Sequence, residues 1–195
     1  MKKLCLLLTA ICFASFDAHA FLLSPYVGAD YNQSTLNFGH KSEDLYADDY
    51  GSLGVVAGVK VLGLISAEGF YQQSEDKEKT VRNYNVAGDS FSNKLKLKAY
   101  GVDLVGDVLN LGIVEILSSI GYGYYDADVT ESWSNGTTGY RKKYTEEGNG
   151  VRFGLGGQIN PLPSLGVRAM FRYTVTDMES VKNMKEFTVG LRYYF

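Results

Sequence analysis

The chain has 195 residues, a formal net charge of −3 at pH 7 and a hydrophobic content of 45%. Its charges are too acidic in sum and too dispersed for a nucleic-acid-binding protein. After the first twenty residues no run of about 18 apolar residues occurs, which argues against membrane-spanning helices in that part of the chain.

Residues 1–20 have the pattern of a secretory signal peptide. Lys2 and Lys3 form a basic start, an uncharged apolar run extends to Phe16, and Ala18-His19-Ala20 supplies the small residues that a signal peptidase requires. The apolar run is too short to span a membrane as a helix. We therefore expect this segment to be cleaved during export.

Residues 21–195 are expected to form one domain. Both cysteines of the chain, Cys5 and Cys12, precede this segment. The exported chain therefore has no disulfide and no thiolate chemistry, although its export route is oxidising.

Eight segments of the exported chain alternate apolar with polar or small residues, the period of two that is typical of β-strands. In the first, Val27, Ala29 and Tyr31 alternate with Gly28, Asp30 and Asn32. The second segment is ambiguous, because its valines point outward only if Lys60 points inward. The eight predicted strands are 25–38, 52–62, 64–74, 94–107, 113–130, 151–159, 165–176 and 185–195.

The predicted connections alternate in length. Those after the first, third and fifth strands are long and polar (39–50, 75–93 and 131–150), whereas those after the second, fourth and sixth are short (63, 108–112 and 160–164). This alternation is typical of outer-membrane barrels, which have short periplasmic turns and longer extracellular loops. The sequence therefore predicts an all-β fold, an eight-stranded antiparallel up-and-down transmembrane β-barrel with both termini in the periplasm.

The inner face of this barrel is predicted to carry five acids and five bases. An eight-stranded barrel is barely wide enough for its own side chains, and buried charges are costly unless they are paired. Arginine suits such pairing because its planar fork binds a carboxylate through two hydrogen bonds. We expect these residues to form an ionic network that plugs the lumen, with a conducting path as the alternative. They are Asp30, Lys60, Glu68, Asp103, Glu115, Arg152, Arg168, Arg172, Glu186 and Arg192.

The end of the chain resembles the C-terminal signal of bacterial outer-membrane barrels, which has a polar residue, a glycine and two aromatic residues at fixed positions. Here these are Thr188, Gly190, Tyr193 and Phe195. The segment 150–173 is similar to the penultimate hairpin of small eight-stranded barrels, the family of the OmpA transmembrane domain and the OmpX/Ail-type proteins. The resemblance implies insertion by the outer-membrane barrel assembly machinery, with Tyr193 and Phe195 carrying the recognition.

That family has no single activity, since it includes anchors, adhesins and complement-evasion proteins, small channels and lipid-modifying enzymes. We favour a non-enzymatic surface protein that contacts lipid, lipopolysaccharide and a possible host or surface ligand. A narrow pore for small solutes is the alternative. The candidate surface contacts are Tyr46, Tyr50, Lys96, Lys98, Trp133 and Tyr140. The aromatic residues among them could instead pack strand extensions, and the lysines could form a charged rim.

Catalysis, cofactors and metals are not expected. His40 together with Asp89 and Ser90 is loosely similar to the site of an outer-membrane lipid A palmitoyltransferase, but the amphipathic helix of that family is not seen before the first strand. The late-strand histidine of barrel-shaped lipid A deacylases is missing too. The acidic residues of the first long loop, Glu43, Asp44, Asp48 and Asp49, lack the EF-hand spacing.

Overall fold

The computed structural model describes residues 23–38, 49–82, 89–135 and 137–195. Within these ranges the chain forms nine β-strands, and no helix is long and apolar enough to cross a membrane. The strands are β1 (Leu23–Phe38), β2 (Asp49–Val61), β3 (Ile65–Ser74), β4 (Lys77–Arg82), β5 (Ser90–Asn110), β6 (Val114–Ser134), β7 (Gly139–Leu162), β8 (Leu165–Thr176) and β9 (Val181–Tyr194).

Eight of these strands close into an antiparallel ring. Their order is β3-β2-β1-β9-β8-β7-β6-β5, and pairing of β3 with β5 completes it. β4 continues β3, because both strands pair with β5: Gln73 lies opposite Lys98, and Lys77 lies opposite Leu95. Three residues there oppose two, which is a β-bulge. The predicted eight-stranded antiparallel barrel is confirmed, with one of its strands interrupted.

The wall of the ring has an apolar outside and a largely polar inside. Large aliphatic and aromatic side chains on alternate positions are exposed, as at Leu104, Ile120 and Phe171. The ambiguous second strand is resolved, because Lys60 points inward and its odd-numbered neighbours, Val59 among them, are exposed.

The predicted long loops are too long, and this is the main error of the sequence analysis. β5, β6 and β7 have 21, 21 and 24 residues. β4 and the start of β5 occupy 77–82 and 90–93 of the predicted loop 75–93, and β6 and β7 occupy most of 131–150, while β9 begins at Val181 rather than at Lys185. Their polar outward side chains have the composition of a loop, but the alternation of faces continues. The segment 39–48 lies outside the described residues.

These long strands form a sheet that extends beyond the ring, here called the extension. It consists of β4, residues 90–99 of β5, residues 125–134 of β6 and residues 139–149 of β7, paired in register throughout. The end of the barrel that carries it is called the loop end. The opposite end, where short connections join β2 to β3, β5 to β6 and β7 to β8, is called the turn end.

The turn between β2 and β3 contains a strained residue. Leu62 has φ +52° and Gly63 has φ +65°, and the Leu64 N–H donates to the Val61 carbonyl at 3.1 Å. Two consecutive positive φ values in a turn that is closed by this hydrogen bond are typical of a type I′ turn, which prefers Asn-Gly. A leucine in this left-handed region costs about 1–2 kcal/mol.

We predict that Leu62→Asn raises the free energy of unfolding by about 1 kcal/mol, because asparagine tolerates positive φ and Leu62 is 58% exposed. Urea titration of the protein in lipid vesicles measures the change. Leu64→Asn in the same turn is the control, since no positive φ occurs there, and an equal gain in both variants would contradict the explanation by strain.

Candidate functional site

The ten ionisable residues predicted for the inner face all lie on it. Nine are buried, and the side chain of Lys60, near the turn end, is 11% exposed. They are held there by the period of two in each strand, which places alternate side chains on the axis side of the wall.

Three arginine–carboxylate pairs form the centre of the lumen. Arg192 donates from both terminal nitrogens to Asp30, at 2.6 and 3.0 Å. Arg152 donates from Nε to Asp103 Oδ1 at 2.6 Å and from Nη2 to Oδ2. Arg168 donates from Nη1 to Glu68 Oε2 at 2.8 Å. The first two pairs are bidentate, the geometry in which charge-assisted hydrogen bonds are strongest.

Arg172 connects these pairs. Its Nη1 donates to Thr188 Oγ1 at 2.6 Å, and its guanidinium lies 3.7–3.9 Å from carboxylate oxygens of Glu68, Asp103 and Glu186. The distances are too long for strong hydrogen bonds but short enough for electrostatic attraction. The lumen therefore contains one connected network rather than separate pairs.

Neutral polar residues donate further hydrogen bonds to two of these carboxylates. Tyr26 donates its hydroxyl to Glu68 at 2.8 Å, while Ser34 and Gln72 donate to Glu186 at 3.2 and 2.9 Å. No prediction from the sequence included Tyr26, Ser34 or Gln72, although each lies an even number of positions from the ionisable inward residue on its strand.

Glycines make room for two of the pairs. A Cβ added to Gly190 would lie 1.8 Å from Asp30 Oδ1, and one added to Gly121 would lie 1.8 Å from Asp103 Oδ1. Side chains are excluded from both positions because the paired carboxylates fill the space. Gly190, predicted as part of the assembly signal, thus also has a packing role in the lumen.

The turn end has a further ion triad. Lys60 Nζ lies 2.8 Å from Asp107 Oδ2 and 2.9 Å from Glu115 Oε1. Asp107 was missed because it ends the predicted fourth strand, beside the predicted turn. It gives the inner face one acid more than the sequence analysis counted.

An open cavity of about 720 Å³ lies beside this triad, lined by polar residues that include Asn110, Asn160 and Tyr194. Gln158 donates to Asn160 at 2.7 Å and to Tyr194 at 2.8 Å, and its carbonyl oxygen accepts from Arg168 Nε at 3.0 Å. Gln158 thereby links the rim of the cavity to the central network.

At the loop end the inner face becomes apolar. This group, here called the apolar cap, is buried and continuous, and no prediction included it. In the sequence this group is marked by a reversal of the polarity of the two faces. Leu95, Leu97 and Ala99 point inward, while the lysines between them point outward. The apolar cap consists of Leu36, Phe38, Tyr50, Leu95, Leu97, Ala99, Tyr125, Ala127, Val129, Met178, Val181 and Met184.

The sequence matches the family model "Outer membrane protein beta-barrel domain" over residues 4–195. The chain belongs to this family. It is therefore an outer-membrane β-barrel protein of the bacterial envelope, and its apolar outer wall is the face that lies against lipid.

Solved structures of outer-membrane barrels share the fold. Neisserial surface protein A has a TM-score of 0.58 at 16% identity, covering 89% of this chain and 97% of its own. Ail of Yersinia pestis, solved with the heparin analogue sucrose octasulfate, has a TM-score of 0.51 at 14% identity and covers 89% and 97%. A major outer membrane protein of Thermus thermophilus has a TM-score of 0.50 at 14% identity and covers 87% and 99%. No curated protein sequence matches the chain.

The aromatic residues proposed from the sequence as surface contacts differ in their exposure. Tyr50 is only 1% exposed and belongs to the apolar cap, so its prediction as a surface contact is wrong. Trp133 is half-buried, stacks on Tyr140 with a centroid distance of 6.1 Å and donates Nε1–H to Asp89 Oδ2 at 3.1 Å. Tyr140 is 53% exposed. Tyr46 lies outside the described residues.

The two candidate lysines are both half-buried and contact acids. Lys98 Nζ lies 3.0 Å from Asp128 Oδ2 and 3.9 Å from Asp126 Oδ2, and Lys96 Nζ lies 4.0 Å from Asp76 Oδ1. Their charge is thus partly balanced within the protein.

Of the residues considered for catalysis and metal binding, the structure describes Asp49, Asp89 and Ser90, while Glu43, Asp44 and Asp48 lie outside the described residues. Asp89 accepts the indole hydrogen bond of Trp133, Ser90 begins β5, and His40 lies outside the described residues. Among the residues that the structure describes, no group of three or more His, Cys, Asp or Glu could hold a metal ion.

The proposed assembly signal divides between the two faces of β9. Thr188 and Gly190 point into the lumen, whereas Tyr193 and Phe195 are exposed on the outer wall with their rings edge to face, 5.3 Å apart. Recognition of the two aromatic residues by the assembly machinery stays a prediction.

We predict that Asp103→Asn lowers the free energy of unfolding by about 3–5 kcal/mol, because it leaves the Arg152 charge buried without its partner. Asp76→Asn breaks the exposed pair with Lys94, and it should cost less than about 1 kcal/mol. Urea titration in lipid vesicles followed by circular dichroism compares the two. Equal losses of unfolding free energy in the two variants would contradict a larger contribution of the buried pair to stability.

The pair of Lys98 and Asp128 in the extension lies outside the lipid-facing belt, and its stability is expected to depend on pH. The hydrogen bond from Lys98, helped by one from Thr145 at 2.9 Å, lowers the pKa of Asp128 below its ordinary value. The pair's stabilisation is complete above the ordinary aspartate pKa and is lost as the pH falls through the lowered pKa.

We expect Lys98→Gln to move the pKa of Asp128 upward, toward its ordinary value. Carbon-detected NMR titration of the Asp128 carboxyl measures it, with Lys143→Gln as the control for a cation that makes no direct contact with Asp128. A larger shift in the control would contradict the assignment to Lys98.

Proposed function

We propose that this protein is a non-enzymatic surface protein, a barrel with a closed lumen that anchors and presents the extension at the cell surface. In this proposal residues 1–20 are the cleaved signal peptide, the turn end and both termini face the periplasm, and the extension is extracellular. Membrane lipid and lipopolysaccharide are its immediate partners, and the assembly machinery inserts it.

The observation that carries the proposal is the filling of the lumen in two layers. Arg152, Arg168, Arg172 and Arg192 are tied to carboxylates through the middle of the barrel, and the apolar cap follows toward the loop end. Ions would have to break buried pairs in the first layer and cross a buried apolar second layer, both of which are costly.

The orientation is supported by the lengths of the connections. At the turn end three short turns join the strands, whereas at the loop end the strands run on into the extension. Short periplasmic turns and longer extracellular segments are the general arrangement of outer-membrane barrels.

We predict that the protein forms no conducting channel. Reconstituted in planar lipid bilayers, it should stay silent under applied voltage, and heat-modifiable migration on a gel verifies that the sample is a folded barrel. Ail, a fold neighbour, was solved with a heparin analogue, which makes surface binding the function to test once the lumen proves closed.

A narrow pore is the competing function, and the open cavity beside Lys60 and Glu115 is the feature that favours it. Steady openings whose conductance changes in Arg168→Ala or Glu115→Ala, but not in the outward-facing control Lys143→Ala, would overturn the closed lumen. Palmitate transfer to lipid A that disappears in His40→Ala would overturn the non-enzymatic function.

A further inference from the structure

The outer face of the extension separates its charges by height. Tyr71, Tyr100 and Tyr124 lie side by side across β3, β5 and β6. Tyrosine is enriched at the membrane–water interface of barrels, so this row marks the upper edge of the lipid belt. The distance along the strand from this row to every other residue on the face can be read from the strand register.

The two positions above each tyrosine form a lower band of mixed charge. Lys96 and Lys98 on β5 lie opposite Asp128 and Asp126 on β6, and Glu147 on β7 lies opposite Asp126. The lysines contact the aspartates and Asp76. The two lysines of this band are neutralised by acids of the protein, and the acids are in excess.

The upper band has a different composition and is rich in cations and hydroxyl groups. Its lowest level also contains one acid, Glu78 on β4, which accepts a hydrogen bond from Ser92, and Lys94 on β5, which pairs with Asp76 at 2.7 Å. Arg82 on β4 and Arg141 and Lys143 on β7 are exposed and form no ion pair with any described residue. The strands between them present serine and threonine in register. The hydroxyl residues of the upper band are Thr80, Ser90, Ser92, Thr130, Ser132 and Ser134.

The size of the upper band fits a few sugar rings. Four strands at about 4.8 Å spacing put β4 and β7 about 14 Å apart, and Ser132 lies eight residues above Tyr124, about 25 Å along the strand. The hydroxyl groups can hydrogen-bond sugar hydroxyls while arginine and lysine bind anionic groups. Arg141 uses Nε to donate to Ser132 Oγ at 3.3 Å, which leaves its two terminal nitrogens for an anion.

We infer that the upper band binds the phosphorylated core oligosaccharide of lipopolysaccharide. This inference rests on the extracellular orientation proposed above. Lipopolysaccharide is anchored in the same leaflet, its core sugars stand above the lipid headgroups, and they carry phosphate and carboxylate groups that match the net positive charge of the band. The lower band, with its excess of acids, does not offer such a site at the level of the headgroups.

The test compares two triple variants with the same change of charge. The first is Arg82→Gln/Arg141→Gln/Lys143→Gln in the upper band, and the second is Lys142→Gln/Lys182→Gln/Lys185→Gln. The control residues are exposed lysines elsewhere toward the loop end. Binding of the full-length protein in phospholipid vesicles to lipopolysaccharide with a phosphorylated core is measured at low and at physiological salt.

We expect the first variant to lose at least tenfold in affinity, and the control to stay within twofold of the unaltered protein. The difference should shrink at higher salt, because exposed charges are screened. It should vanish with lipopolysaccharide whose core has been dephosphorylated, and with lipid A that carries no core.

Equal losses in both variants, or binding to lipid A alone as tight as to the phosphorylated form, would overturn the inference. Tighter binding of a soluble sulfated polysaccharide would assign the band to another ligand and overturn it too. Labelling of Ser132→Cys by a membrane-impermeant maleimide on intact cells tests the orientation separately. A conducting lumen would refute the proposed closure while leaving the binding result to stand.

Discussion

The structure depends on pairing charges inside a barrel that has no room for water to solvate them. Arg152, Arg168, Arg172 and Arg192 are buried at the middle of the ring, and each donates to a carboxylate or hydroxyl on another strand. Arg152 and Arg168 pair with carboxylates on strands that are not their neighbours in the wall, so the network connects the wall across the lumen. An unpaired member would carry a desolvation cost that no local change of the strand could offset.

The same strands face two different surroundings along their length, and their patterning changes accordingly. Below the tyrosine row the outward residues are apolar and the inward ones are polar, as at Val102 and Asp103. Above it the outward residues are polar and the inward ones apolar, as at Lys96 and Leu97. The apolar cap is thus the core of an ordinary water-exposed sheet, placed on top of an ionic core that belongs to the membrane.

The surface of the extension combines charges that are balanced with charges that are not. The pairs of Lys98 with Asp128 and of Lys94 with Asp76 are internal to the face, while Arg82, Arg141 and Lys143 have no such partner in the described structure. A cation that the protein does not neutralise is available to an external anion. The filling of the lumen and the exposure of this face together support the proposal of binding at the surface.

The sequence by itself determined the barrel, the inward parity of ten ionisable residues and the apolar outer wall. All of these follow from a period of two, which is local. Prediction from the sequence was wrong where composition and periodicity disagree. In the extension the period of two continues, but its polar outward residues suggested loops. The partners of Arg168 and Arg172, the place of Asp107 and the burial of Tyr50 were decided only by the tertiary structure. Strand order, shear and register set which residues meet across the lumen, and no single strand contains that information.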